Sequence, residues 1–108
     1  MTRVASCSFS LVLLFAAVAS AQSPVEKGKE VYTAQKCSVC HSIAGAGNKK
    51  GPLDGVGAKL SATDIRAWIV EAPAMAAKTK ADRKPPMKGY TLAMADLDGL
   101  VAYMESLK

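Results

Sequence analysis

Apolar residues recur at spacings of three and four in three stretches of the chain, and each stretch predicts a helix with one buried face. The first helix is predicted from Pro24 to about Lys36 and the second from Ser61 to Pro73, with Ser23 and Ser61 as caps. The third, from about Ala95 to Leu107, has no good cap. The three apolar faces comprise Val25, Gly28, Val31, Tyr32 and Gln35; Ile65, Trp68, Ile69 and Ala72; and Leu97, Leu100, Val101, Met104 and Leu107. We expect the first and last helices to cross near Gly28 and Tyr32.

Two stretches between these helices lack a helical period. From Ser42 to Lys59 the chain carries several glycines and is predicted to be a long loop, which is unusual in a compact domain unless it wraps a bound group. The segment from Ala74 to Arg83 has no clear helix start and predicts at most a helical turn. The prolines Pro85 and Pro86 then favour an extended or turn conformation up to Met87.

The first 21 residues have the layout of a secretory signal peptide. Arg3 precedes an apolar run from about Phe9 to Ala19, and small residues lead up to Ala21, after which we expect cleavage. The run is shorter than the roughly 20 residues that a membrane-spanning helix needs, so an uncleaved anchor is the less favoured interpretation. Cys7 lies ahead of the run and would leave with the signal. The sequence therefore predicts export and no stable membrane insertion.

Residues 22–108 are expected to form one domain. The whole chain has a formal net charge of +5, and losing Arg3 with the signal leaves +4. Such an excess is informative about association and solubility and not about fold. Because the charge is modest and scattered, nucleic acid is not expected as a partner.

The sequence Cys37-Ser38-Val39-Cys40-His41 has the C-x-x-C-H spacing of a c-type haem attachment site. Two thiols three residues apart lie on one side of a helical turn, where each can add to one haem vinyl group. His41 then follows as the proximal ligand of the iron. A zinc site would need a second ligand pair, and a thioredoxin-like dithiol would accompany a βαβ pattern; the chain shows neither pattern.

The sixth iron ligand decides between electron transfer and ligand binding. The chain contains no second histidine, whereas a methionine thioether is the usual partner in electron-transfer cytochromes. Met87 is the preferred candidate because prolines hold its backbone, and Met75, which follows Pro73, is the alternative. Met104 is expected in the core, and Met94 is less favoured.

Two further residues are candidates for contacts around the haem. The turn Gly51-Pro52-Leu53 offers a carbonyl that can accept a hydrogen bond from the other ring nitrogen of His41. Trp68 is either a core residue or the donor of an indole N–H bond to a haem propionate.

Together these motifs resemble small single-haem class I c-type cytochromes of the bacterial periplasm. The resemblance covers Pro24 to Lys108 and depends on five segments: Gly28–Tyr32, the haem motif Cys37–His41, Gly51–Leu53, Lys84–Met87 and Leu100–Tyr103. It implies an all-α, cytochrome c-like fold of three to four helices around one covalent haem c. It also implies that the carbonyl of Pro52 accepts the hydrogen bond from His41. In the family's pattern the ligand methionine often precedes the proline, whereas here Met87 follows Pro85 and Pro86.

The function expected from these residues is electron shuttling, without enzymatic activity. Iron would keep both axial ligands, His41 and Met87, and surface lysines would steer acidic redox partners to the haem edge of a monomeric carrier. Two alternatives stay open at this point: a haem enzyme or gas-binding protein with an open or labile sixth site, and a haem subunit of a larger respiratory complex.

Overall fold

A computed structural model describes residues 12–13 and 22–108 of the chain. The predicted signal peptide, including its cleavage position at Ala21, lies outside the described residues except for positions 12 and 13. The described part is all-α apart from one pair of two-residue strands, which confirms the expected fold class. It contains five α-helices where three to four were expected. They are α1 (Pro24–Ala34), α2 (Val56–Lys59), α3 (Ala62–Val70), α4 (Ala72–Thr79) and α5 (Met94–Ser106).

Helix α1 begins where the sequence predicts. The Ser23 hydroxyl accepts a hydrogen bond from the Glu26 amide at 3.2 Å, and Pro24 occupies the first turn, where its missing N–H is not needed. The helix ends at Ala34, two residues earlier than expected, because Lys36 takes a left-handed conformation with φ of 56°. This change of direction turns the chain into the C-x-x-C-H motif.

The crossing of α1 and α5 is the main helix contact of the fold, as predicted. A Cβ atom built on Gly28 would overlap the carbonyl oxygen of Gly99 and stand 2.5 Å from Cβ of Tyr103, so the two backbones are almost in contact. Beside this point the rings of Tyr32 and Tyr103 meet edge to face, with centroids 5.8 Å apart. The buried core continues from the crossing through Val31, Ile65, Ile69, Leu97, Leu100, Val101 and Met104.

The prediction of an irregular loop from Ser42 to Lys59 is wrong. Strand β1 (Ser42–Ile43) pairs antiparallel with β2 (Ala46–Gly47), and Ala44 and Gly45 make the turn between them with positive φ angles. The chain then forms α2, and the amide of Gly57 donates to the carbonyl of Leu107 at 2.8 Å. The segment is thus fastened to the end of α5.

Helices α3 and α4 follow each other with one intervening residue. Ser61 caps α3 by accepting from the Asp64 amide at 3.2 Å, but α3 ends at Val70, before Pro73. Pro73 instead lies in the first turn of α4, where proline is tolerated, so the stretch taken as irregular is helical up to Thr79. The expectation of a weak start for α5 is confirmed, since Ala93 makes no side-chain capping bond.

Among the described residues, no helix combines the length and the apolar character needed to cross a bilayer.

Candidate haem-binding site

The helices surround a cavity of about 600 Å³ with a predominantly apolar wall. Five of the residues singled out in the sequence line it together: Cys37, Cys40, His41, Trp68 and Met87. The remaining wall is contributed mainly by α3, α5 and the segment before α5, through residues that include Leu53, Val56, Leu60, Ile65, Ile69, Pro86, Tyr90, Leu100 and Met104. The volume is within the range of about 300–1,000 Å³ typical of ligand and cofactor sites.

The two cysteines reach this wall from a short 3-10 turn, Cys37–Val39. The carbonyl of Cys37 accepts from the amides of both Cys40, at 3.2 Å, and His41, at 2.9 Å, so the five-residue motif is wound into one tight turn. Burial raises the pKa of the Cys37 thiol, and the neighbouring Cys40 adds to the shift. Neither cysteine forms a disulfide with another described residue, so both sulfur atoms are available for thioether bonds.

His41 is oriented by a hydrogen bond to the main chain. Its Nδ1 atom lies 3.0 Å from the carbonyl oxygen of Gly51. Because a carbonyl only accepts, Nδ1 carries the proton and the lone pair of Nε2 is free to bind a metal. Burial lowers the pKa of His41, opposed by the bond to Gly51 and reinforced by the positive charge of Arg83. The imidazole is therefore held neutral and in the tautomer that an iron ligand requires.

The predicted turn does supply the acceptor, but its acceptor is Gly51, so the assignment to Pro52 that the resemblance implies is wrong. Pro52 is exposed and bridges Ser42 in a parallel arrangement. The groups that flank it make the bridge: the amide of Ser42 donates to Gly51 at 3.1 Å, and that of Leu53 donates to Ser42 at 2.8 Å. The bridge turns the Gly51 carbonyl toward buried Ser42, where it also accepts the proton of His41.

Met87 is the methionine that the long segment between α4 and α5 brings to the cavity. This segment is fastened to α3, since the Tyr90 amide donates to the carbonyl of Ile69 at 2.8 Å. The neighbouring Gly89 lies so close to α3 that an added Cβ would stand 2.5 Å from the carbonyl oxygen of Val70. The cavity wall includes Met87 and Met104, but neither Met75 nor Met94.

The remaining methionines differ in burial and position. Met104 lies in the core of α5 and is 6% exposed, as the sequence predicts. Met94 is 69% exposed at the start of α5, and Met75 is half-buried on α4. The structure therefore favours Met87 over Met75 as the thioether available to the cavity.

Trp68 is half-buried on α3 and lines the cavity, a position compatible with both roles considered for it. Four polar residues that sequence reasoning did not assign to the site also line it: Tyr32, Gln35, Arg83 and Tyr90. The hydroxyl of Tyr32 is buried without a hydrogen-bond partner among the described residues, and burial raises its pKa. The position of Tyr32 on the apolar face of the first helix predicts that it is buried, but nothing in the sequence indicates that it lies near a cofactor.

These features fit a haem. A wide apolar cavity accepts the macrocycle, two thiols on its wall suit thioether formation, and His41 presents a free Nε2. Over residues 12–13 and 22–108, no group of three or more His, Cys, Asp or Glu side chains could hold a metal ion by itself.

Comparison with known proteins gives one family. Neither the curated proteins nor the solved structures provide a significant match. The family model described as Cytochrome c matches residues 25–108, which include the C-x-x-C-H motif and all of the cavity wall. Its members are haem-binding electron-transfer proteins. This match and the geometry of Cys37, Cys40 and His41 agree, and the chain belongs to the cytochrome c family, with a covalently bound c-type haem as its cofactor.

Proposed function

We propose that the protein is an exported, periplasmic single-electron carrier whose haem iron is held by His41 and Met87. The observation that carries this proposal is the presence of both side chains on the wall of one cavity, together with the two attachment cysteines. Haem iron supplies reversible one-electron chemistry, and a thioether opposite an imidazole raises its reduction potential. Two permanent protein ligands leave no site for a substrate, which favours a carrier over an enzyme.

The chain's own residues support this role by holding the site rigid. The carbonyl of Gly51 fixes the His41 ring, and the Tyr90–Ile69 hydrogen bond fastens the segment that bears Met87. Ligands that keep the same positions in both oxidation states lower the reorganisation energy of electron transfer. The apolar wall keeps water away from the iron and contributes to the same effect.

The ligand proposal is tested by absorption spectra of the oxidised and reduced protein. The wild type is expected to be low-spin, with the weak far-red ferric band of sulfur-to-iron charge transfer. Met87→Ala should lose this band and bind carbon monoxide in the reduced state, whereas Met75→Ala, the matched control, should keep it. A band that survives in Met87→Ala and disappears in Met75→Ala would overturn the assignment. A high-spin wild type would indicate an open site and gas binding or catalysis.

We further propose that the carrier acts as a monomer on acidic partner proteins. Lys36 and Lys88 lie on the cavity wall, and Lys49 and Lys50 form an exposed tip after β2. Positive charges around the haem edge would accelerate encounter with an acidic surface, and salt would screen this attraction. The rate of electron transfer to an acidic redox protein should fall as ionic strength rises. A rate independent of salt would contradict the partner class, and elution as an oligomer or complex on sizing would contradict the free monomer.

A further inference from the structure

Arg83 occupies an unusual position between the two segments that carry the proposed iron ligands. It belongs to the same segment as Met87, four residues upstream, yet its side chain reaches the turn that orients His41. A Cβ built on Gly51 would overlap Nη1 of Arg83 and stand 3.0 Å from its Cζ, so the guanidinium lies directly against the α-carbon of Gly51. The same side chain lines the cavity.

The absence of a side chain at Gly51 is what permits this contact. The added Cβ would also overlap the Cys40 carbonyl oxygen, so Gly51 lies between the haem motif on one side and Arg83 on the other. No carboxylate among residues 22–108 forms an ion pair with Arg83; the ion pairs found there are Lys27–Asp96 and Arg66–Asp98. Within this part of the chain, no acidic side chain therefore neutralises the charge of Arg83.

A positive charge at this place would act on a bound haem iron through His41. The Gly51 carbonyl accepts the Nδ1 proton of His41, and a cation beside that carbonyl weakens the hydrogen bond that it accepts. The imidazole would then donate less electron density to the iron, which would disfavour the ferric state. Direct repulsion between the guanidinium and the additional positive charge of ferric iron would act in the same direction.

We propose that Arg83 is a positioning residue that clamps the Met87 segment onto the Gly51 turn and raises the reduction potential of the haem. The inference depends on the proposed ligation by His41 and Met87. It predicts two effects of removing the guanidinium: a lower potential, and a Met87 segment that opens more readily.

The test compares Arg83→Gln with Lys84→Gln by spectroelectrochemical titration of the haem-loaded protein. Both variants lose one positive charge from neighbouring exposed positions, but Lys84 does not line the cavity, so it controls for the general loss of charge. Arg83→Gln should lower the midpoint potential and decrease the ferrous-to-ferric ratio at a fixed ambient potential about threefold. At 59 mV per tenfold for one electron, this is roughly 28 mV. Lys84→Gln should change the ratio by less than half as much on a logarithmic scale.

Binding of imidazole to the ferric protein measures the clamp separately. Displacement of Met87 by imidazole should be several times faster in Arg83→Gln than in Lys84→Gln. Arg83→Lys should restore part of the midpoint potential but should bind imidazole almost as fast as Arg83→Gln. Equal potentials in Arg83→Gln and Lys84→Gln, or equal rates of imidazole binding, would overturn the proposal. The far-red sulfur band in the wild type tests ligation independently, so an unchanged potential in a variant that keeps this band refutes the role of Arg83 and leaves the carrier function intact.

Discussion

Gly28→Ala should destabilise the protein strongly even though alanine is the better helix former. The new Cβ would overlap the carbonyl oxygen of Gly99 and lie 2.5 Å from Cβ of Tyr103, whereas an ordinary van der Waals contact is 3.4–4 Å. The obstacle is backbone, so α1 and α5 must separate by about an ångström along their shared core. Overpacking of this kind costs about 3 kcal/mol at the upper end, and the helix propensity of alanine returns about 1 kcal/mol. The expected net loss is therefore about 2 kcal/mol.

Gly99→Ala is the matched control because it lies on the other side of the same crossing. Its Cβ would meet the Gly28 amide nitrogen at 3.0 Å and the Cγ and Cβ atoms of Lys27 at 3.0 and 3.1 Å. These contacts need an adjustment of only a few tenths of an ångström, so the cost should be about 1 kcal/mol and the gain in helix propensity should offset it.

Urea denaturation of the haem-loaded protein, followed by far-UV circular dichroism, measures both variants. With a slope of about 1–2 kcal/mol/M, Gly28→Ala should lower the midpoint by about 1–2 M, and Gly99→Ala should leave it nearly unchanged. A stable Gly28→Ala variant would refute the argument from close approach. An equal loss in both variants would show that any added methyl group at the crossing is harmful, whatever atoms it meets.

Three further substitutions test local features. Tyr32→Phe removes a buried hydroxyl that has no hydrogen-bond partner in the described part of the chain, so the free energy of unfolding should stay the same or rise by up to about 1 kcal/mol. A decrease of about 1 kcal/mol or more would show that the hydroxyl is hydrogen-bonded in the haem-loaded protein. Ser61→Ala leaves the Asp64 amide without its acceptor and should lower the free energy of unfolding by about 1 kcal/mol, measured by thermal or urea denaturation. An unchanged free energy of unfolding would show that this cap does not stabilise α3. Cys40→Ala should keep haem attached through Cys37, and the absorption band of its reduced pyridine haemochrome should be shifted to the red. Only the variant with both cysteines replaced should lose all its haem on extraction with acidic acetone. Haem that stays bound to that double variant would contradict attachment through the motif.

Features that depend on nearby residues could be predicted from the sequence. Ser23 and Ser61 act within one helical turn, so their capping roles follow directly from the order of residues. The C-x-x-C-H motif is local in the same sense. The crossing at Gly28 was predictable in the same way, because a glycine on an apolar helix face indicates either a simply tolerated residue or the close approach of another helix, and the structure shows the close approach.

Features that depend on distant parts of the chain were missed or misplaced. Helix α4 begins without a capping side chain and includes Pro73, a residue that in isolation indicates the end of a helix. The family resemblance implies Pro52 as the acceptor for His41, but the Ser42 bridge decides which carbonyl of the turn points inward. The contact of Arg83 with Gly51 joins positions 32 residues apart, and no pattern in the sequence brings them together.

The bond between His41 and the Gly51 carbonyl has a consequence for how this protein can change in evolution. Its acceptor belongs to the main chain, so no codon change at position 51 or 52 can delete it as the loss of an acidic side chain would. Mutation can act on the proximal ligand only indirectly, by bending the turn or altering the charge next to it. Random substitutions of surface side chains therefore have little direct effect on the orientation of His41. Inherited differences in redox behaviour would then arise mainly at neighbours such as Arg83, whose substitution leaves the acceptor of the His41 hydrogen bond in place.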